Sequence, residues 1–217
     1  MTTLTELANK YGSDKGTTFV SQHGYTEIYP NYLPKEPKKC LEIGVRFGPS
    51  VRMWKDYFPS LTHIYGIDLC IEMSIDHLKS IQNECEKFKF FVADQSNRDQ
   101  LKVIAETIKD EELDFILDDG SHMVIHQQIS FGYLFKLLKS GGLYIIEDIT
   151  TAGGWDVKDT VNFSDATVNV IQDFQKSNVM NSPYMTKEEN IYLTNNIKSV
   201  HFELRDNKHN FICIYKK

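Results

Sequence analysis

Two pairs of adjacent carboxylates stand directly after apolar runs of the sequence. Asp118 and Asp119 end the stretch LDFILDD, and Glu147 and Asp148 end the stretch GGLYIIED. If the two runs are neighbouring strands, these carboxylates lie close together, where like charges repel unless a cation lies between them. An all-oxygen ligand set with positions left for water favours Mg2+ over zinc. The alternative interpretation is that each pair only caps the helix that follows it.

A histidine follows the first acidic pair. His122 comes soon after Asp119, at the predicted start of the next helix. A neutral imidazole has an ordinary pKa of about 6.5, so it can remove a proton from a hydroxyl group, above all one whose pKa a metal has lowered. We interpret His122 as a candidate general base, with a surface or helix-capping histidine as the alternative. His126, one helical turn later, is interpreted as support or packing, because no glutamate completes a zinc protease motif.

The acidic pairs belong to a regular alternation of apolar runs and helical segments. Continuous apolar runs are typical of buried parallel strands, and the segments 51–58, 71–87, 98–112 and 125–142 between them have helical content, the last one ending at a glycine stop. Near the end of the chain, two more strand-like runs flank the polar turn RDNKHN, which predicts an antiparallel hairpin. The pattern predicts an α/β fold, the seven-stranded Rossmann-like sheet of class I methyltransferases with an antiparallel terminal hairpin. The first five runs are KKCLEIGV (38–45), HIYGIDL (63–69), FKFFVAD (88–94), LDFILDD (113–119) and GGLYIIEDI (141–149).

The length of the chain favours one domain. Its 217 residues accommodate one sizeable core, and we predict a single domain over residues 1–217. Residues 1–35 contain the polar, glycine- and tyrosine-rich stretches KYGSDKG and HGYTEIY, predicted to cover a cofactor, with a plain surface arm as the alternative. Residues 150–196, with one predicted helix at 166–177, are predicted to form a lid or substrate-binding insertion.

The ends of the first two runs indicate a ligand that contains a nucleoside. In open parallel sheets, ligands bind outside the carboxyl ends of the strands. Glu42 and Gly44 belong to the pattern Glu-x-Gly-x-x-x-Gly, which differs from the pyrophosphate-binding Gly-x-Gly-x-x-Gly and suits S-adenosylmethionine (SAM). Glu42 is placed to receive the amino group of SAM, directly or through water. Asp68 ends the second run and can accept both hydroxyls of a ribose. A tight turn at the glycines and a helix cap at Asp68 are the alternatives.

Polar residues after the third and fourth runs extend this predicted site. Asp94, Gln95 and Ser96 can hydrogen-bond the edge of an adenine, although capping of the helix at 98–109 is a competing explanation. Either aspartate of the pair Asp118 and Asp119 could belong to the metal site at this point.

Charge and composition exclude several classes of protein. The formal net charge of -6 disfavours a general grip on nucleic acid phosphates, and no stretch approaches the roughly 20 apolar residues of a membrane span. We therefore predict a cytoplasmic protein that acts on a small molecule and has neither nucleic acid nor membrane as a partner. The 4 cysteines form no Cys-x-x-Cys pair, so neither a zinc ribbon nor a redox motif is indicated.

Together these motifs resemble the metal-dependent, SAM-dependent O-methyltransferases of macrolide sugars. The resemblance covers nearly the whole chain, through KYGSDKG, HGYTEIY, CLEIGV, RMWKDYFP, IYGIDL, ADQS, DFILDDGSH, HQQISFGYLF, GGLYIIEDI and IKSVHF. It implies a Mg2+-dependent enzyme that moves a methyl group from SAM to a hydroxyl of a sugar in a glycosylated natural product or saccharide. It also implies a homo-oligomer.

The resemblance implies specific roles as well. It implies that Asp119, Glu147 and Asp148 hold Mg2+ and that His122 acts as the general base. Since Asp119 is thereby assigned to the metal, Asp118 is left for the cofactor or for contacts behind the metal ligands. The SAM-binding positions that it implies are Tyr11, Gly12, Glu42, Gly44, Asp68, Asp94, Gln95 and Ser96.

Two departures from the family pattern leave the acceptor open. The first-strand loop carries Pro49, and TTAGGWD follows IEDI where sugar-modifying relatives often have a His-Thr-Ser-aromatic run. Since the second loop borders the acceptor site of such enzymes, a catechol-like or other small diol acceptor is an alternative. A SAM-binding protein without catalysis is another alternative, and the missing Gly-x-Gly-x-x-Gly disfavours an NAD-dependent oxidoreductase.

Overall fold

The structure is a computed structural model that describes residues 2–18, 22–69, 72–149, 162–204 and 210–217. Its strands are β1 (Lys39–Ile43), β2 (His63–Asp68), β3 (Phe88–Val92), β4 (Leu113–Asp118), β5 (Leu138–Ile146), β6 (Ile197–Glu203) and β7 (Phe211–Lys216). Its α-helices are α1 (Leu4–Tyr11), α2 (Pro49–Tyr57), α3 (Glu72–Glu84), α4 (Arg98–Thr107), α5 (Val124–Leu134), α6 (Thr167–Ser177) and α7 (Lys187–Asn196). Short 3-10 helices lie at Tyr25–Glu27, Tyr29–Asn31, Phe135–Leu137 and Phe163–Asp165.

Some of the segments singled out in the sequence lie outside the described residues. These are the TTAGGWD segment at 150–156 with the rest of 150–161, Cys70, and most of the RDNKHN turn. Within the described part of the chain, no helix combines the length and the apolar character that a membrane crossing requires.

The strands form one sheet in the order β3-β2-β1-β4-β5-β7-β6. β1 to β5 pair in parallel, whereas β7 pairs antiparallel with both β5 and β6. The predicted seven-stranded α/β sheet with its antiparallel terminal hairpin is therefore confirmed. From β1 the chain moves outward to β3 and then returns to β4 on the other side of β1, so the strand order reverses between β1 and β4. A crevice outside the carboxyl ends of the strands is expected at this point.

Apolar side chains on both faces of the sheet explain the continuous apolar runs. Every residue of β4 is buried. Phe115 and Leu117 pack into a core cluster with α1 and α2, while Ile116 between them packs into the opposite cluster with α4, α5 and α6. Successive strand side chains point to opposite faces, so a strand that is covered by helices on both sides must be apolar at nearly every position.

The helix predicted over 125–142 ends earlier than the glycine stop indicated. α5 ends at Leu134, and Gly141 and Gly142 lie inside β5 instead. The pairing register of β5 shifts here: Leu113 pairs with Leu138, but Phe115 pairs with Leu143. The extra residues need a sharp local bend, and Gly141 provides it with a φ of +75°. The glycines thus mark a bulge in a strand, and the prediction of a helix end at this point was wrong.

A second helix, α7, lies in the segment where only one was predicted. It is mostly polar, with Leu193 as its buried residue, so it shows no apolar stripe that periodicity could detect. Its start carries a capping box, in which Thr186 accepts from the Glu189 N–H and the Glu189 side chain accepts from the Thr186 N–H. This Ser/Thr-x-x-Glu spacing was the available sequence signal.

Candidate functional site

A cleft of about 860 Å³ opens at the carboxyl ends of β1 to β4. It lies where the strand order reverses, and its volume falls in the range of small-molecule sites. The N-terminal segment forms one wall, and the tips of the strands form the floor. Six of the predicted cofactor residues line it, together with the predicted metal ligand Asp119 and the predicted base His122. The six are Tyr11, Gly12, Gly44, Asp68, Asp94 and Gln95.

Gly44 permits the close approach of the loops after β1 and β4. It has a φ of +85°, and a Cβ at this position would lie 2.0 Å from the carbonyl oxygen of Asp119. The two loops are also joined by the Asp119 N–H, which donates to the Ile43 carbonyl at 3.0 Å. The structure therefore gives Gly44 a steric requirement, while its contact with a cofactor stays a prediction.

Asp68 and Asp94 shape the loops around the cleft. Asp68 Oδ2 accepts from the backbone N–H of Arg46 at 2.6 Å. Asp94 Oδ1 accepts from the Ser96 N–H at 2.8 Å and from the Ser96 hydroxyl at 2.7 Å. Burial alone would raise the pKa of Asp94, but these hydrogen bonds outweigh it and lower the pKa. Ser96 thus holds Asp94 and is not among the residues that line the cleft, and Asn97 caps α4.

Glu42 lies beneath the floor of the cleft. Its side chain is 1% exposed, and the indole Nε1 of Trp54 donates to Glu42 Oε2 at 3.0 Å. Glu42 Oε1 has no hydrogen-bond partner among the described residues. Burial raises the pKa of Glu42 to about 7, although the charge of Lys15 opposes this change. A buried acceptor without a donor is costly unless a ligand supplies one, which fits the predicted contact with an amino group.

Asp118 also lies below the floor, so its predicted contact with the cofactor needs correction. It accepts hydrogen bonds from Gln95 Nε2, at 3.1 Å and 3.2 Å to its two oxygens, and from the Ser130 hydroxyl. Burial raises its pKa to about 6, and these hydrogen bonds limit the rise. Because Gln95 lies between Asp118 and the cleft, Asp118 orients Gln95 and does not line the cleft itself.

A buried lysine joins the carboxylates of the two acidic pairs. Lys15 Nζ contacts Asp119 Oδ2 directly, lies 2.9 Å from Glu147 Oε2 and is 3.9 Å from Glu42 Oε1. Burial alone would lower the pKa of Lys15, but the charges of Asp119, Glu147 and Glu42 raise it well above its ordinary value. Lys15 is therefore a protonated, permanent cation inside the acid cluster.

Two tyrosines of the N-terminal segment hold the second acidic pair. The Tyr29 hydroxyl donates to Glu147 Oε1, and the Tyr25 hydroxyl donates to Asp148 Oδ1. Burial, followed by the charge of Glu147, raises the pKa of Tyr29 well above its usual range. Tyr29 therefore stays protonated and serves as a fixed donor. Burial, followed by the charge of Asp119, likewise raises the pKa of Glu147 well above its ordinary value.

His122 faces the acid cluster from the loop between β4 and α5. Its Nε2 lies 3.5 Å from Asp148 Oδ2 and 3.9 Å from Asp119 Oδ1. One ligand atom from each of these three residues lies within 4.8 Å of the others. His122 and Asp148 have left-handed backbones, with φ of 59° and 52°, a conformation that is strained for residues other than glycine and concentrates at functional sites.

The arrangement fits a divalent cation, with one difference from the predicted ligand set. Carboxylate oxygens of Asp119 and Asp148 are the hard ligands that Mg2+ prefers. Glu147 belongs to the same cluster but is bound on both oxygens, by Lys15 and by Tyr29. The structure thus brings the three predicted ligands together, whereas the role of each one toward a metal stays a prediction.

Sequence reasoning missed Lys15, Tyr25 and Tyr29 as parts of the site. Their segment is polar and rich in tyrosine, but nothing in its spacing reveals a partner more than 100 residues away in the sequence. One available signal was the surplus of carboxylates itself, since a buried acid cluster requires a positive charge from another segment.

Comparisons with known proteins point to one group of enzymes. Over 159 residues, or 69% of the chain, the sequence is 33% identical to mycinamicin VI 2''-O-methyltransferase from Micromonospora griseorubida. Over the same length it is 35% identical to 8-demethyl-8-alpha-L-rhamnosyl tetracenomycin-C 2'-O-methyltransferase from Streptomyces olivaceus. These matches cover 36% and 38% of the two relatives, so the chain spans little more than a third of their length. No protein-family model matches the chain.

Comparison with solved structures points to the same group of enzymes. The chain is similar to the MycE methyltransferase from the mycinamycin biosynthetic pathway, whose structure is a complex with Mg, SAH and mycinamycin VI. The TM-score is 0.70 at 26% sequence identity, and the match covers 99% of this chain and 54% of that one. The match therefore includes all seven strands of the sheet.

Proposed function

We propose that this chain, which belongs to the family of macrolide-sugar O-methyltransferases, transfers a methyl group from SAM to a sugar hydroxyl of a glycosylated natural product or saccharide, with Mg2+ at its acid cluster. One observation carries the proposal. A single cleft connects the strand tips predicted to bind SAM with Asp119 and His122. The names of the relatives, and the complex of MycE with Mg and SAH, support the same reaction.

The proposed cofactor site uses the floor of the cleft. SAM, when bound, supplies an electrophilic methyl group. Asp68 and Asp94 offer carboxylate oxygens, and Gln95 offers its amide, at positions where a ribose and an adenine need donors and acceptors. Glu42 Oε1, which has no hydrogen-bond partner among the described residues, would accept from the amino group directly or through water. Tyr11 and Gly12, in the opposite wall, would exclude water from the bound cofactor.

The proposed metal site uses the two acidic pairs. Asp119 and Asp148 would hold Mg2+, with Glu147 as the third predicted ligand. A bound divalent cation lowers the pKa of a hydroxyl group that it contacts, which makes a sugar hydroxyl easier to deprotonate. Tyr25 and Tyr29 keep the carboxylates of Asp148 and Glu147 in fixed orientations.

His122 is proposed to take the proton of the acceptor hydroxyl. Its Nε2 is directed toward Asp119 and Asp148, whereas its Nδ1 is buried and has no hydrogen-bond partner among the described residues. The proton would be taken up by the imidazole of His122, and the nearby carboxylates of Asp119 and Asp148 would stabilise the imidazolium that results. Most of the catalysis would come from positioning the hydroxyl against the methyl group.

Two measurements test the proposal. Calorimetry should detect SAM binding, and methyl transfer to a panel of glycosides should require Mg2+. Absence of SAM binding both with and without Mg2+ would overturn the proposed function. A catechol panel that is methylated in place of the glycosides would overturn the assignment of the acceptor only.

The role of His122 needs its own test, since it lies close enough to the carboxylates to be a metal ligand. As a general base, its replacement in H122A should lower kcat by about 10²- to 10⁴-fold and leave the Mg2+ affinity nearly unchanged. A large loss of Mg2+ affinity in H122A would identify it as a ligand instead. H63A is the matched control, because His63 begins β2 at the opposite edge of the sheet.

Expectations about the segments, the location and the partners of the protein also belong to this proposal. Residues 1–35 would cover the cofactor, which is supported by Tyr11 and Gly12 in the wall of the cleft, and residues 150–196 would border the acceptor. The protein would act in the cytoplasm as a homo-oligomer on a small molecule, without nucleic acid or membrane as a partner. Light scattering on the purified protein and cell fractionation would check the oligomer and the location.

A further inference from the structure

Lys15 is the only buried lysine or arginine in the part of the chain that the structure describes. Its side chain is 1% exposed, and its ammonium group lies among the carboxylates of Glu42, Asp119 and Glu147. A buried charge of this kind persists only where opposite charges compensate its lost hydration. The cluster therefore contains one resident cation before any metal is added.

The partners of Lys15 are also the predicted ligands of the metal. Lys15 donates to Asp119 Oδ2 and to Glu147 Oε2, which leaves fewer carboxylate lone pairs for a second cation. Two cations that share the same carboxylates repel each other, and inside a protein this repulsion is only weakly screened.

We propose that Lys15 is a positioning residue that neutralises the acid cluster in the metal-free protein and sets its Mg2+ affinity by competing with Mg2+ for Asp119 and Glu147. This inference rests on the proposed function, because it takes Mg2+ as the second cation. Lys15 lowers the affinity for the metal, and by reciprocity the bound metal weakens the hold of the cluster on Lys15.

The backbone around Lys15 connects this competition to the wall of the cleft. The Lys15 carbonyl accepts from both the N–H and the hydroxyl of Thr26, each at 3.1 Å. Ser13 and Asp14, immediately before Lys15, line the cleft where SAM is expected. A change in the ion pairs of Lys15 should therefore alter the position of the N-terminal segment, which forms a wall of the proposed cofactor site.

The direction of the effect separates this role from a purely structural one. If Lys15 only keeps the carboxylates in place, its removal disorders the site and weakens Mg2+ binding. If Lys15 competes with the metal, its removal takes away a repelling charge and strengthens Mg2+ binding. The sign of the change in affinity thus decides between the two roles.

The test is a Mg2+ titration by calorimetry of the wild-type chain and of the neutral variants K15M and K15Q, at constant ionic strength. We expect both variants to bind Mg2+ at least about tenfold more tightly than the wild type, and to show a larger rise of Tm on addition of MgCl2. K139M is the matched control. Lys139 pairs with the buried Asp114 at the amino end of β4, away from the cleft, so the same chemical change there should leave the Mg2+ affinity unaltered.

The outcomes distinguish this inference from the proposed function. An affinity that is unchanged or weaker in K15M and K15Q, beside a wild type that binds Mg2+, overturns the competition and leaves the function standing. A wild type that binds no Mg2+ overturns the proposed metal site and the competition together. An equal increase of Mg2+ affinity in K15M and K139M also overturns the competition, because it would reflect the change in net charge only.

A measurement on the wild type covers the case in which the variants do not fold. Hydrogen exchange should increase at the backbone amides of Gly16 and Thr26 when Mg2+ saturates the protein, since the metal would loosen the ion pairs of Lys15. The Thr26 amide donates to Lys15 and the Gly16 amide donates to Ser13, so both report on this turn. Slower or unchanged exchange of both amides contradicts the competition.

Discussion

Replacement of Glu42 by glutamine should change how the stability of the protein depends on pH. Glu42 is buried beneath the cleft, and burial raises its pKa from 4.5 to about 7 against the opposing charge of Lys15. Because the pKa in the folded state is above that of the unfolded chain, the folded protein binds this proton more tightly. The stabilisation is complete below a pH of 4.5 and is lost as the pH rises through about 7.

The size of the effect follows from the difference between the two pKa values. It is equivalent to about 3 kcal/mol of unfolding free energy, most of which is lost between about pH 4.5 and about pH 7.5. E42Q carries no ionisable group at this position. The free energy of unfolding of E42Q, relative to the wild type, should therefore increase by about 2–3 kcal/mol over this range.

Urea unfolding at several pH values, with a chelator present and SAM absent, measures this difference. E36Q is the matched control, because it makes the same chemical change at an exposed position shortly before β1. The reasoning fails if the stabilities of E42Q and the wild type differ by the same amount at every pH. It also fails if E36Q shows the same pH-dependent gain as E42Q.

Two other substitutions test contacts that shape the fold around the site. In urea unfolding, G44A should destabilise the protein by ~3 kcal/mol more than G141A does. Both glycines have a positive φ, but of the two only Gly44 would place a Cβ against backbone atoms. Equal losses of unfolding free energy in the two variants would contradict the close approach of the loops after β1 and β4. R98M should lower the unfolding free energy by about 1–2 kcal/mol, since Arg98 makes a two-pronged ion pair with the mostly buried Glu189 and joins α4 to α7. R52M breaks a similar but more exposed ion pair with Glu84 and should lower the unfolding free energy by less than about 1 kcal/mol. A loss in R52M that equals or exceeds the loss in R98M would refute the role of burial.

Much of the fold could be predicted from the sequence because its strands are buried on both faces. The run that became β4 is continuous and apolar, and β4 is indeed buried at every position. The predictions failed where local signals have two meanings. Gly141 and Gly142 read equally as a helix end and as a strand bulge, and only the pairing of β5 with β4 distinguishes them. α7 was not predicted because it is mostly polar, and a polar helix shows no periodic pattern of apolar residues.

The site was predictable as far as strand tips determine it. Residues that end parallel strands must meet at one edge of the sheet, so the gathering of Asp68, Asp94 and Asp119 around one cleft follows from the order of the strands. The family indicated by the motifs is confirmed by the relatives that the chain matches. The burial of each side chain does not follow from the order of the strands, because it depends on the rotamer of the side chain and on the residues that pack over the strand tip. For this reason the sequence does not reveal that Glu42 and Asp118 lie beneath the floor of the cleft and do not line it.

The contribution of the N-terminal segment depends on tertiary charge balance, which no local pattern records. The tips of β4 and β5 bring Asp119, Glu147 and Asp148 together by topology alone, and such a cluster cannot stay ionised in a buried site without a positive charge and hydrogen-bond donors. Lys15 supplies the charge, and Tyr25 and Tyr29 supply the donors. The carboxylates at the strand tips and the N-terminal segment therefore depend on each other for charge balance. It follows that a change in the segment should alter the affinity of the strand tips for a cation, even where it leaves the sheet itself intact.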